Sequence, residues 1–226
     1  MMQIYITKLD INKVRHLEDI SIPLAEDRMK HLILTGKNGS GKTGLVEAMT
    51  DYINNVFKNL NQSGSGLNIR FNKKAEDVFT LRKQNHYILA YYSADRVFQS
   101  EQPRHVEKIQ LRDDYEVMEF PRNDFVKYLL DLKMTEALAR INQKIEKADE
   151  IKVWFERLEN LLKKIFADET VQLEFDEDTF KFYILQKGKE RFDFHTLSSG
   201  YQAVLDIVLD IMMRMQNQTG RSFDLC

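Results

Sequence analysis

The sequence predicts an α/β fold with a mixed sheet. Three features predict it: short alternating apolar runs, longer stretches with apolar residues three and four apart, and a glycine-rich turn between one of each. The turn is Gly36-Lys37-Asn38-Gly39-Ser40-Gly41-Lys42-Thr43. It follows Leu32-Ile33-Leu34, an apolar run that reads as a buried strand. It precedes Leu45, Val46, Met49, Ile53 and Val56, which recur at helical spacing. Strand, glycine turn and helix in that order are the context in which this pattern forms a phosphate-binding loop. Two fixed glycines followed by Lys and a hydroxyl residue arise by accident in well under roughly 1% of chains this long.

Each residue type in the loop has a chemical reason. Glycines let the chain curl so that successive N–H groups of Asn38, Gly39, Ser40, Gly41 and Lys42 point into one concave nest. The helix amino terminus adds its positive dipole end. Lys42 brings a point charge to the outer phosphates, and the Thr43 hydroxyl suits a magnesium ion, which takes oxygen ligands. The expected ligand is therefore a nucleoside triphosphate with Mg2+.

Ahead of the loop, Ile4, Ile6, Leu9 and Ile11 alternate roughly and Ile20, Ile22 and Leu24 strictly, which predicts an antiparallel hairpin over residues 2–24. Behind it, Asn61-Gln62-Ser63-Gly64-Ser65-Gly66 reads as a polar surface connection rather than a second phosphate loop, since no Lys follows. Tyr87-Ile88-Leu89-Ala90-Tyr91-Tyr92 reads as another buried strand. Polar residues just past such a strand sit where ligands bind in open α/β sheets, which makes Asp95, Arg96 and Gln99 candidates to face the nucleotide.

From Phe125 to Phe166, Met134, Leu138, Ile141, Ile145, Ala148, Phe155, Leu158, Leu162 and Ile165 keep helical spacing among dense Lys and Glu. One long helix or two packed helices fit, with the stripe read as core and a partner surface as the alternative. Next, Val171, Leu173, Phe175 and then Phe180, Phe182, Ile184 alternate around the turn Asp176-Glu177-Asp178. Phe192 and Phe194 complete a small meander after Gly188. The chain then reads Leu197-Ser198-Ser199-Gly200-Tyr201-Gln202 and continues as an amphipathic helix through Ala203, Val204, Ile207, Val208, Ile211 and Met212. Ser198 or Ser199 suits an N-cap, and Gly200 permits close approach of a phosphate to a second helix amino terminus.

The order of these motifs resembles the ATP-binding cassette ATPases, and among them the soluble SMC, RecF and AAA-like (OLD-like) group rather than the transporter subunits. The resemblance rests on the hairpin, the Gly-Lys-Asn-Gly-Ser-Gly-Lys-Thr loop, the helical insertion and the Leu-Ser-Ser-Gly-x-Gln signature. It covers nearly the whole chain as one head: a phosphate-loop lobe (1–100), a helical insertion (120–168) and a strand meander with signature helix (169–218). It implies a P-loop fold of ABC type in which two heads pack face to face. ATP and Mg2+ on the loop of one are then closed over by Ser198, Ser199, Gly200 and Gln202 of the other. Gln99 corresponds to the family's glutamine on magnesium and the attacking water, and Tyr201 stands where Gln or Glu is usual. A homodimer is implied, with a nuclease or other effector and nucleic acid as partners the family allows, in DNA maintenance or anti-phage defence.

In that family an apolar strand ending in Asp-Glu follows the signature helix and supplies the carboxylates of hydrolysis. Here the sequence runs to Ser222-Phe223-Asp224-Leu225-Cys226 without one, and Asp206 and Asp210 lie on the signature helix instead. The expectation is a head truncated before that strand, so a module that binds ATP without efficient turnover is the alternative to an active ATPase. A nucleotide or sugar kinase shares the loop but gives no reason for the signature run.

Composition narrows the remaining classes. The chain has 226 residues, enough for one sizeable domain, and its formal charge of −2 demands no nucleic acid. Its single cysteine, Cys226, excludes an internal disulfide and a cysteine-built metal site within one chain. No run approaches eighteen apolar residues and no basic, then apolar, leader opens the chain, which predicts a soluble, cytoplasmic protein without membrane association.

Overall fold

Alternation of apolar residues produces the hairpin the sequence predicts. In the computed structural model, which describes residues 4–57, 66–84, 86–93 and 100–219, β1 (Ile6–Val14) pairs antiparallel with β2 (Leu17–Pro23). The register sets Leu9 opposite Ile22 and Ile11 opposite Ile20. A third strand, β3 (Leu67–Phe71), pairs antiparallel with the other edge of β1 and gives the order β2-β1-β3. Sequence reading passes over β3, although Leu67, Ile69 and Phe71 alternate. The carbonyl of Gly66 accepts the N–H groups of Asn12 and Lys13 at 2.8 and 2.9 Å. This approach requires glycine, since a Cβ there would lie 1.7 Å from the Lys13 carbonyl oxygen.

Helix α1 (Lys42–Phe57) turns Leu45, Tyr52 and Val56 onto the sheet, where they bury Leu9, Ile11, Leu67 and Ile69. The Tyr52 hydroxyl reaches the Asn68 side-chain carbonyl at 3.0 Å, so the apolar contact also has a fixed orientation. Helix α2 (Ala75–Lys83), also absent from the sequence reading, buries Val78.

Two predicted strands do not form. Leu32-Ile33-Leu34 and Tyr87–Tyr92 belong to no ladder among the described residues, and Ile33 is 81% exposed. Apolar content prepares a segment for burial, but a strand exists only with a hydrogen-bonded neighbour. Outside any ladder, Leu32 and Tyr87 to Leu89 line an apolar cleft of about 360 Å³ together with Ile4, Met49 and Ile53. All ladders among the described residues are antiparallel, so the mixed sheet expected from sequence is not seen there. The architecture is α/β with an amino-terminal antiparallel hairpin and several helices.

The elements so far form one compact unit, residues 4–91 with 116–118; residues 92–115 and 119–219 form the other. In the second unit the helical stretch resolves into two helices, α3 (Phe125–Ile141) and α4 (Ile145–Phe166), packed against each other. Phe125, Leu129, Leu158 and Leu162 make a core with Phe182, Ile184 and Phe194 and with Leu205, Leu209 and Met213 of α5 (Ser199–Thr219). Phe125 meets Phe194 edge-on at 5.5 Å, an arrangement favoured by the ring quadrupoles. The expected core stripe is only half buried: Leu138, Ile141 and Ile145 are 58%, 76% and 51% exposed around the α3–α4 turn.

β4 (Gln172–Asp176) and β5 (Lys181–Leu185) form the predicted hairpin, with Phe175 opposite Phe182. Its turn is closed by the Asp176 carboxylate, which accepts the N–H groups of Asp178 and Thr179. The expected third strand of the meander shrinks to one bridge between Ile184 and Phe192. No helix among the described residues is long and apolar enough to cross a membrane.

Helix α4 ends with Ala167 in the left-handed region, φ 49° and ψ 42°, where the Asp168 N–H bonds back to the Lys163 carbonyl at 3.1 Å. A Cβ in this conformation is strained. Ala167→Gly is expected to raise stability by about 1 kcal/mol in urea unfolding; a lower midpoint would contradict this helix ending.

Candidate functional site

The glycine loop runs from Gly36 into α1, and its curl depends on backbone that side chains disfavour: Gly39 and Gly41 have φ of +81° and +88°. At Gly41 space is short as well, because a Cβ would meet His16 and Leu17 side chains at 3.1 Å. The helix follows at once, with Leu45 N–H donating to the Gly41 carbonyl at 2.9 Å. Its first turn carries no acidic residue, so no fixed carboxylate in that turn opposes an anion at its positive end.

Lys42 is folded over this turn. Its ammonium donates to the carbonyls of Gly36 and Lys37, both at 2.8 Å, and reaches Ser40 Oγ at 3.3 Å. Three oxygens thus gather one cation above the loop. Asn38, Gly39, Ser40 and Thr43 are exposed beside it. The turn of the β1–β2 hairpin leans on the same place: His16 touches the Gly41 position, and Arg15 pairs with Glu47 of α1 at 2.8 Å. Sequence reading missed Arg15 and His16 because only the folded hairpin brings them to the loop.

Ser198, Ser199 and Gly200 are exposed at the start of α5, where the Ser198 carbonyl accepts the Gln202 N–H at 2.9 Å. Ser198 thus occupies the capping position expected for it. The Gln202 side chain turns away and donates to the His195 carbonyl at 2.9 Å. Tyr201 lies against Phe166 with ring centroids 4.7 Å apart. A Cβ at Gly200 would meet nothing within 4 Å, so packing in the chain itself does not require glycine there.

Asp95, Arg96 and Gln99 lie outside the described residues, as do Asn61 to Ser65 and Ser222 to Cys226. Among the described residues, no group of three or more His, Cys, Asp or Glu side chains could hold a metal ion.

Asp206 and Asp210, the carboxylates that follow the signature, are buried and committed elsewhere. Arg122 donates through Nε to Asp206 and lies 3.5 Å from Asp210. Arg214 donates to Asp210 at 2.7 Å and to the Glu119 carbonyl, and the Tyr92 hydroxyl donates to Asp210 at 2.9 Å. Burial, with the Asp210 charge beside it, holds the Tyr92 phenol well above its ordinary range, so it stays protonated and donating.

No protein-family model matches the chain, and no curated protein matches it.

Gly41→Ala should lower stability by about 1–2 kcal/mol through the positive φ and the crowding against His16. An unchanged urea midpoint would show that the loop relaxes without it.

Proposed function

We propose that this chain is the nucleotide-binding head of an ABC-class ATPase of the soluble SMC, RecF and AAA-like group. It binds ATP with Mg2+ and dimerises around the nucleotide. The observation that carries this reading is the Lys42 ammonium held on loop carbonyls at the amino terminus of a 16-residue helix. Phosphate oxygens would take the place of those carbonyls, with the amides of Gly39 to Lys42 as donors. Thr43, and through the resemblance Gln99, would hold magnesium, which neutralises charge on the outer phosphates. The exposed Ser198, Ser199 and Gly200 support the second half of the reading, since Gly200 leaves room for a phosphate from another subunit. Head dimerisation would then drive a partner activity in DNA maintenance or anti-phage defence, in a cytoplasmic setting.

A second reading, binding without efficient hydrolysis, is favoured by one observation. The two carboxylates on α5 are neutralised by Arg122, Arg214 and Tyr92 and cannot reach a nucleotide without breaking that cluster. Phosphoryl transfer depends on charge placed at the reacting oxygens, and these groups do not supply it.

Titration with a fluorescent ATP analogue and Mg2+ should give saturable binding that Lys42→Ala weakens roughly a hundredfold, the loss expected of a charged hydrogen-bonding group. Equal affinity in the variant would exclude the loop as the site. Light scattering with MgATP should show a dimer that Ser198→Arg abolishes; ATP-driven dimerisation that survives the substitution would remove the signature from the account. Steady-state hydrolysis should stay near background, and Lys42-dependent turnover would mean that a further carboxylate serves the reaction.

A further inference from the structure

The chain on either side of residues 94–99 is tied at two separate points, to α5 itself and to the turn that leads into it. On one side, Tyr92 donates to Asp210. On the other, the Ser100 hydroxyl donates to the Asn123 carbonyl at 3.1 Å and accepts the Val126 N–H at 3.0 Å, which seats it on the start of α3. The Ser100 carbonyl meets His195 Nε2, and the Gln102 side-chain amide meets His195 Nδ1 at 3.0 Å. A ring with its proton on Nε2 satisfies both contacts, donating to Ser100 and accepting from Gln102. His195 is itself fixed, since its N–H bonds to the Asp193 carboxylate and its carbonyl receives the Gln202 side chain from the first turn of α5.

We propose that His195 and Asp210 are positioning groups that make the chain flanking residues 94–99 and the signature turn Ser198–Gly200 one mechanical body. Asp210 lies eight residues along α5 from Gln202, about 12 Å by helical rise. One attachment would leave the helix free to pivot; two at that separation fix its tilt as well as its place. The same carboxylate also receives Arg214, whose guanidinium is bound to the Glu119 carbonyl, and Arg122, which covers Asp206. Asp206, Asp210 and Arg214 recur every four residues, so the attachment is a stripe along one helix face.

Buried ion pairs often add no more stability than apolar side chains of similar volume. Their use here is directional: each carboxylate accepts from a named donor on a different part of the chain. Ser198–Gly200 therefore cannot be displaced without moving Ser100, and the reverse. This role rests on the reading of Ser198–Gly200 as the group that closes over a partner's phosphate.

Hydrogen exchange on the full chain tests the coupling. His195→Ala should accelerate exchange at residues 100–104 and 202–207 together, by about tenfold, while β4 and β5 keep their protection. His195→Gln, whose amide can still donate to the Ser100 carbonyl, should restore most of it. Gln102→Ala removes one ring contact and should give a smaller joint acceleration, which keeps the test decisive where His195→Ala does not fold. Acceleration confined to residues 100–104, or none, would overturn the coupling. Light scattering separates this from the function reading. In a wild type that dimerises with MgATP, His195→Ala should weaken dimerisation about tenfold with monomer binding of the fluorescent nucleotide unchanged; equal dimerisation overturns the positioning role. A wild type that never dimerises defeats the function reading, and exchange then decides the coupling alone.

Discussion

Two carboxylates with no access to water, Asp206 and Asp210, dictate how the unit around α5 is assembled. An unpaired buried charge is so costly that the chain must bring cations and donors to it. Arg122, Arg214 and Tyr92 meet that demand, and Arg122 and Tyr92 belong to segments that would otherwise have little reason to sit on α5. The apolar side of the same helix, Leu205, Leu209 and Met213, joins the core built by α3, α4 and β5. Polar and apolar faces thus serve different ends: one supplies burial, the other fixes orientation. Trp154 adds a similar directional contact by donating to Gln216 at 3.0 Å.

The glycine loop obeys a different constraint. Its conformation is held by backbone angles open mainly to glycine and by a lysine that neutralises inward carbonyls. Under the proposed function, a ligand would replace contacts already present rather than build a site from nothing, so the cost of ordering the loop would be partly met before it arrives. The sheet beneath supports it through α1, whose Leu45 and Val56 are buried on β1 and β3. The hairpin turn, with Arg15 and His16, braces the loop from the side.

How far the sequence could be read follows from the range of the interactions involved. Hairpins and helices announce themselves through periodicity, so β1, β2, β4, β5, α1, α3, α4 and α5 were legible from side-chain spacing alone. The starts of α1 and α5 were legible because their cues are local, a glycine run before one and a serine pair with a glycine at the other. Leu32–Leu34 and Tyr87–Tyr92 misled because an apolar run records readiness for burial and carries no word of a pairing partner. β3 was passed over because five residues after a polar connection carry little weight, and Gly66 gave no hint of its contact with Lys13. The cluster at Asp210 was beyond sequence reading altogether, since Tyr92, Glu119 and Arg122 reach α5 from about ninety to one hundred and twenty residues away.

Under the proposed function, main-chain amides of the loop, with Lys42, hold a triphosphate. The most direct test is an amide correlation spectrum of the full chain titrated with MgATP. Saturable shifts are expected, largest at Gly39, Ser40, Gly41, Lys42 and Thr43, where N–H groups would meet phosphate oxygens. A spectrum in which those five amides stay in place while nucleotide binds, or in which nothing moves, would contradict it.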